Sequence, residues 1–144
     1  MSTTNTEGTV KLADGTVLKL VVNILEARES GFSPLGGINI LVKPIGGATV
    51  IKSPSEVMEK IKDKPFFPSG EQPKDGWELV DIIENQPATA EKTIETSKGP
   101  YLVKMIADPS MASRNLNYKN ELDEPIYFVV WVSKISWKPI VRSE

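Results

Sequence analysis

The chain contains neither cysteine nor histidine among its 144 residues. Without cysteine it has no disulfide, no thiolate metal ligand and no thiol nucleophile, and without histidine it has no imidazole base. Any catalysis would depend on carboxylates, lysine, arginine, tyrosine, serine or threonine. The two absences favour a protein that is not an enzyme and has no cofactor or metal site. They also suit a thermophilic source, in which labile residues are avoided.

A strong charge of one sign is lacking too, because 17 basic and 19 acidic residues leave a net charge of −2. Binding to nucleic acid or to an anionic membrane would therefore need a local basic patch. No apolar run approaches the ~18 residues that cross a bilayer. The polar residues 1–8 lack the basic and apolar regions of a signal peptide. We therefore expect a cytoplasmic protein with no membrane partner.

The length predicts a single domain, residues 9–144, after a polar N-terminal tail, residues 1–8. The 11 prolines and 10 glycines indicate many turns and favour a β-rich domain. Apolar residues alternate on both sides of Asp14-Gly15, a dipeptide that readily adopts the positive φ of a tight turn. This pattern predicts a hairpin near the start of the domain. The apolar run over residues 126–140 predicts the longest strand.

Shorter strands are expected between these two elements. Residues 38–43 predict a third strand that Pro44 ends, and residues 48–52 suit a short fourth strand. Residues 77–95 are ambiguous between strand and helix. A further hairpin is expected around residues 97–100, where glycine and proline are adjacent.

The clearest helix signal lies at residues 54–63. Ser53 is positioned to cap the first turn, Pro54 suits the first helical position, and Glu56 follows three residues after the serine. Pro65 then ends the segment, because proline cannot continue a helix.

The order of these elements predicts a mainly β (α+β) fold. A curved antiparallel sheet with one main helix at about residues 54–63 satisfies it. The order also resembles that of an OB-like Greek-key barrel, in which one helix lies between the third strand and the later ones. The resemblance is one of topology alone.

Residues 108–120 are polar and are predicted to form a long loop. The loop would carry an arginine, three amides, a ring and a lysine, which are groups that bind phosphates, contact base edges and stack on bases. The residues concerned are Arg114, Asn115, Asn117, Tyr118 and Lys119. The alternative is a plain surface loop, because asparagine and serine are common in turns for local backbone reasons.

The final strand adds a second candidate surface. Tyr127, Trp131 and Trp137 are separated by even numbers of residues and would share one face of a regular strand. If that face were exposed, the rings and the nearby Lys134 and Lys138 would form a platform for stacked bases. Aromatic residues that alternate along the most apolar strand are also typical of a core.

The leading hypothesis is a non-catalytic module that binds single-stranded nucleic acid, DNA above all, through this aromatic and basic face and the polar loop. A second hypothesis is a self-assembling structural or adaptor protein, a homo-oligomer that pairs through edge strands and ordered chain ends. A third is a protein that binds a nucleotide-like small ligand with Arg114 and an aromatic ring. The sequence leaves the true ligand and the oligomeric state open.

Overall fold

The computed structural model describes residues 3–141, which form nine strands and one short helix. The mainly β prediction is confirmed. In chain order the elements are β1 (Thr3–Thr6), β2 (Gly8–Leu12), β3 (Val17–Phe32), β4 (Ile38–Lys52), α1 (Ser55–Ile61), β5 (Trp77–Val80), β6 (Ile82–Gln86), β7 (Ala88–Thr96), β8 (Gly99–Lys119) and β9 (Pro125–Pro139).

The strands form two antiparallel sheets, and neither closes into a barrel. One sheet has the order β1-β7-β8-β5, with β9 also paired to β8, and the other has the order β4-β3-β2-β6. A strand has two edges, so β9 occupies one edge of β8 along almost its whole length while β7 and β5 share the other. The architecture is therefore two curved sheets rather than the OB-like barrel.

The core lies between the two sheets. The second sheet contributes Leu20, Val22 and Ile40, and these pack with Val103 and Met105 of the first sheet. A second cluster near the β2–β3 turn includes Val10, Leu12, Leu18, Ala112 and Val129. Each set alternates along its strand because successive side chains of a strand point to opposite faces.

The β2–β3 hairpin is confirmed, with Asp14 and Gly15 in its turn. Gly15 has a φ of 93°, a conformation that a residue with a Cβ rarely adopts. Thr16 N donates to Asp14 Oδ1 at 2.9 Å, which fixes the carboxylate at the turn. This carboxylate becomes part of the site described below.

The two strands expected at residues 38–43 and 48–52 are one continuous strand, β4. Pro44 does not end it, because β4 lies at the edge of its sheet and proline is tolerated where an N–H has no partner to bond. Gly46 allows close packing, since a Cβ there would lie 2.8 Å from Val22 and 3.3 Å from Trp131.

The prediction of a loop at residues 108–120 is wrong. Residues up to Lys119 belong to β8, which bonds to β5 on one edge and to β9 on the other. Irregularities between Pro109 and Met111 and between Asn115 and Lys119 let the strand bend without ending. Residues 82–86 and 88–96, which could have been helix, are strands β6 and β7.

The predicted helix is present over Ser55–Ile61, with Val57 and Ile61 buried. The predicted cap is wrong: Pro54 occupies the cap position, and no side chain caps the helix. The hydroxyl of Ser53 is instead buried without a hydrogen-bond partner among residues 3–141. No helix in those residues is both long and apolar enough to cross a membrane.

Part of the expected polar tail is also structured. Thr3–Thr6 forms β1, which pairs antiparallel with β7 of the same molecule. Met1 and Ser2, and residues 142–144 at the other end, lie outside the described residues. The N-terminal end therefore packs within the chain over the part that is described.

Candidate functional site

Arg114 is bound on two sides by acidic groups of its own chain. Its Nη1 donates to Asp14 Oδ2 at 2.9 Å, and its Nε donates to Glu78 Oε1 at 2.6 Å. The side chains of Arg114 and Asp14 are largely buried, at 16% and 11% exposed. The guanidinium thus joins the β2–β3 turn to the first sheet, with two of its donors bonded to carboxylates of the same chain.

Tyr127 completes this arrangement. Its hydroxyl donates to Asp14 Oδ2, and a phenol has one proton, so the hydroxyl of Thr16 must donate to the Tyr127 oxygen at 2.7 Å. We call Asp14, Thr16, Arg114 and Tyr127 the turn cluster. It connects residues more than a hundred positions apart, since the Tyr127–Asp14 separation is 113 residues.

The turn cluster changes the acidity of its members. Burial and the hydrogen bond to Asp14 raise the pKa of Tyr127 to about 12. Burial opposes ionisation of Asp14, but the bonds from Tyr127, Thr16 and Arg114 outweigh it and lower the pKa of Asp14 below 3.8. A phenol with so high a pKa is a poor base or nucleophile at neutral pH. By its hydrogen bonds the turn cluster joins the β2–β3 turn to β8 and to the start of β9.

The two predicted amides bind a neighbouring segment of the chain. Asn115 is fully buried, and its Nδ2 donates to Asp75 O at 3.1 Å. Its Oδ1 accepts the backbone N–H of Asn117 at 3.1 Å. Gly76 approaches both amides so closely that a Cβ there would lie 2.4 Å from Asn117 Nδ2. Asn115 is thus part of the structure rather than a contact group on a free loop.

Tyr118 and Lys119 are also engaged within the chain. The Tyr118 ring meets Phe67 edge-on, with centroids 5.7 Å apart. Lys119 Nζ donates to Lys62 O at 3.1 Å, lies 3.3 Å from an oxygen of Asp123, and sits 5.6 Å from the Phe66 ring centroid. The Lys119 ammonium and the Tyr118 ring thus have partners within the chain, whereas the Tyr118 hydroxyl has none among residues 3–141.

The expected aromatic and basic face of β9 is divided between two sides of the sheet. Trp131 and Trp137 point inward and pack against the core, and Trp137 Nε1 donates to Ile38 O at 3.2 Å. Lys134 and Lys138 occupy the alternate positions and are exposed. The structure therefore does not bring the indoles and the lysines together on one surface.

The aromatic concavity nearest the end of β9 offers no charge for a nucleotide. It measures about 350 Å³ and its lining includes Tyr101, Trp137, Pro139 and Ser33 but no charged residue. Arg114, the expected phosphate ligand, belongs to the turn cluster and is not among the lining residues. At this concavity the aromatic rings are therefore present without Arg114.

Two of the acidic side chains just before β9 contact other residues of the chain. Glu124 Oε1 accepts from Asn120 Nδ2 at 3.0 Å, and Asp123 lies beside Lys119. Within residues 3–141, no group of three or more acidic side chains is arranged to hold a metal ion.

The exposed side of β9 carries a row of apolar side chains that the sequence argument did not single out. Phe128, Val130 and Val132 are 54%, 42% and 54% exposed, and Lys134 follows on the same side. We call these four residues the β9 row. The signal was present, because residues 126–132 are apolar at both odd and even positions.

The apolar surface continues from the β9 row onto the neighbouring strands. Residues paired across strands share a face, so Met111, opposite Val130, and Leu79, which pairs with Ser113 opposite Phe128, extend it. Both side chains are exposed. The outer edge of β9 adjoins this patch, and among the described residues no backbone hydrogen bond joins it to another strand besides β8.

Comparison with family models, with curated proteins and with solved structures finds no match for this chain.

Proposed function

We propose that the protein is a non-catalytic building block that self-assembles by adding a strand at the edge of β9. The observation that supports this most is a long, unpaired strand edge directly beside an exposed apolar row. A strand edge presents N–H and C=O groups that another strand can bond, and exposed apolar side chains next to it add contact area. Both features coincide at β9.

Comparison of the sheet edges favours β9 over the others. β1, β5 and β6 span only 4, 4 and 5 residues, too few for a long ladder. β4 has 15 residues, but Pro44 lacks an N–H and interrupts its outer edge. β9 also has 15 residues, and its prolines are its first and last.

The area of a standard interface sets what the edge of β9 and its apolar patch must supply. A standard interface buries about 800 Å² on each partner. That is roughly a tenth of the 9200 Å² accessible surface of this chain. We propose that this contact consists of an edge ladder along β9 and the patch formed by the β9 row, Met111 and Leu79. Contiguous apolar patches on monomers commonly mark an interaction site.

Lys134 and Lys138 limit the association. Lysines on an edge strand discourage indiscriminate pairing, because each one must be neutralised or kept in water. Lys134 Nζ lies 3.5 Å from Asp108 within the chain and remains 64% exposed. The apolar half of β9 thus supplies the contact energy, and the cationic half restricts which strands fit.

Light scattering over a range of concentrations tests the proposal. The mass of the full chain is expected to rise above the 15.8 kDa of the monomer. Val132→Lys adds a charge to the β9 row and is expected to raise the dissociation constant at least about tenfold, or about 1.4 kcal/mol.

Ile51→Lys is the matched control, because Ile51 has nearly the same exposure, 52%, on the other long edge strand. It should associate like the unchanged protein, and urea unfolding should show that both variants remain folded. A monomer mass at every concentration, or equal weakening by both substitutions, contradicts the proposal.

A further inference from the structure

We infer that β9 pairs with β9 of a second copy of this chain, antiparallel, about a two-fold axis at Trp131. The inference rests on the proposed function and adds the partner's register. An antiparallel pair of identical strands is related by a two-fold axis, so each contact occurs twice. The register must place even-numbered residues opposite one another, because even positions of β9 lie on the outer face.

The β9 row is complementary to itself about this axis. Val130 of each copy lies opposite Val132 of the other, which joins two exposed β-branched side chains. Phe128 lies opposite Lys134, so that each ammonium group can lie over a ring. The four members of the row, all exposed in the single chain, thus find suitable neighbours in the second copy.

Charges at the ends of the ladder fit the same register. Glu124, immediately before β9, lies opposite Lys138 of the second copy. Lys138 is exposed and has no ion pair among residues 3–141. One oxygen of Glu124 accepts from Asn120, which leaves the other free for the lysine. The two-fold axis forms this ion pair twice.

The neighbouring registers lose these pairings. With the axis at Val130, Lys134 faces Ile126, whose side chain is already partly buried. With the axis at Val132, Lys134 faces Val130. Both shifts place a cation opposite an aliphatic side chain, so of these three registers the one with its axis at Trp131 provides partners for both lysines.

This register predicts a closed dimer. Because the same edge is used by both copies, pairing consumes both β9 edges and joins the two five-stranded sheets into one. β4, the long strand at the end of the other sheet, contains Pro44. Growth beyond two copies is therefore not expected from β9.

Single cysteines test the register, since the chain has none of its own. Val130→Cys and Val132→Cys are purified separately, oxidised alone and as a mixture, and compared on a non-reducing gel. Directly opposite residues have Cβ atoms about 4.5–5.5 Å apart and diagonal ones about 7–8 Å, and a disulfide needs the shorter separation.

The mixture is expected to give a crosslinked dimer at least several-fold faster than either variant alone. Val130→Cys crosslinking best by itself would place the axis at Val130, and Val132→Cys crosslinking best by itself would place it at Val132. Either outcome overturns the register but leaves self-assembly intact. Ile51→Cys on β4 is the control and should not crosslink.

Light scattering separates failure of the register from failure of the function. If the unchanged protein associates and no crosslink forms in the mixture, this register is wrong. If the protein is a monomer at every concentration, the register and the proposed function fail together.

Discussion

The hydroxyl of Tyr127 donates to Oδ2 of Asp14 at 2.5 Å and thereby joins the start of β9 to the turn between β2 and β3. The strand proposed to carry the interface is thus anchored at one end by a partly buried polar contact to the opposite sheet. Arg114 binds the same oxygen at 2.9 Å, so the carboxylate accepts from two donors at once. Charge-assisted bonds of this kind are stronger than neutral ones, which fits a role in fixing the position of β9.

Replacing Tyr127 by phenylalanine removes the bond to Asp14 and leaves the Thr16 hydroxyl without its acceptor. We expect Tyr127→Phe to lower the free energy of unfolding by about 1–3 kcal/mol, measured by urea denaturation. Tyr118→Phe is the matched control, because the Tyr118 ring packs on Phe67 and its hydroxyl has no hydrogen-bond partner among residues 3–141. That control should change the free energy by less than about 0.5 kcal/mol. Equal effects of the two substitutions would show that the Tyr127–Asp14 hydrogen bond contributes nothing to the free energy of unfolding.

The turn cluster also predicts the alkaline limit of stability. The pKa of Tyr127 is 10.0 in an unfolded chain and about 12 in the folded protein. The neutral phenol is favoured by folding, so its contribution is complete below pH 10 and is lost as pH rises toward 12.

Tyrosinate absorbance should therefore show one of the three tyrosines titrating about two pH units after an ordinary phenol. Tyr127→Phe should remove that late step. A titration in which all three tyrosines ionise together near pH 10 would contradict the arrangement.

At acid pH, Asp14 is expected to limit stability, because its pKa is lowered in the folded protein whereas that of Tyr127 is raised. The pKa of Asp14 is lowered below 3.8 in the folded protein, so the stabilisation is present above that value and is lost as pH falls through the folded pKa. Asp14→Asn should flatten the dependence of unfolding free energy on pH in this acid range. A slope that Asp14→Asn leaves unchanged would assign the acid sensitivity to other carboxylates.

Arg114 is expected to act on stability and not on association. Arg114→Met removes two charge-assisted bonds and leaves Asp14 without its cation, at a cost of about 2–3 kcal/mol in the free energy of unfolding. Arg28→Met is the control, because Arg28 is exposed and has no ion pair among residues 3–141. Once folded, both variants should associate like the unchanged protein in light scattering. Loss of association in Arg114→Met alone would place Arg114 in the interface.

Local patterns account for the elements that were predicted correctly. The Asp14-Gly15 turn and the position of the final strand depend on alternation and on one φ angle, which neighbouring residues determine. The prediction that the final strand is the longest is wrong, because β8 has 21 residues and β9 has 15. The run 108–120 was misread because asparagine, serine and proline favour turns locally, whereas β5 and β9 pair with both edges of β8 and override that preference. The prediction that Pro44 ends a strand was wrong for a similar reason. Proline is tolerated within β4 because β4 is an edge strand, which the local sequence does not indicate.

The candidate site was harder to predict than the strands. Arg114 and Asp14 are 100 residues apart, and their contact exists because the two sheets stack. The sequence contains no local signal for such a pairing. Alternation along β9 correctly predicted that Trp131 and Trp137 lie on the same face of the strand. Which of the two faces meets the core depends on where the second sheet packs, and the local sequence does not indicate this.

Amide hydrogen exchange in β9 measured at low and high protein concentration tests the central claim most directly. Amides of residues 126–138 that bond to β8 should be protected at both concentrations. The alternate amides, which point to the free edge, should become protected only at high concentration, while those on the free edge of β4 should not change. Unchanged exchange along β9, or a gain of protection confined to β4, would contradict assembly through β9.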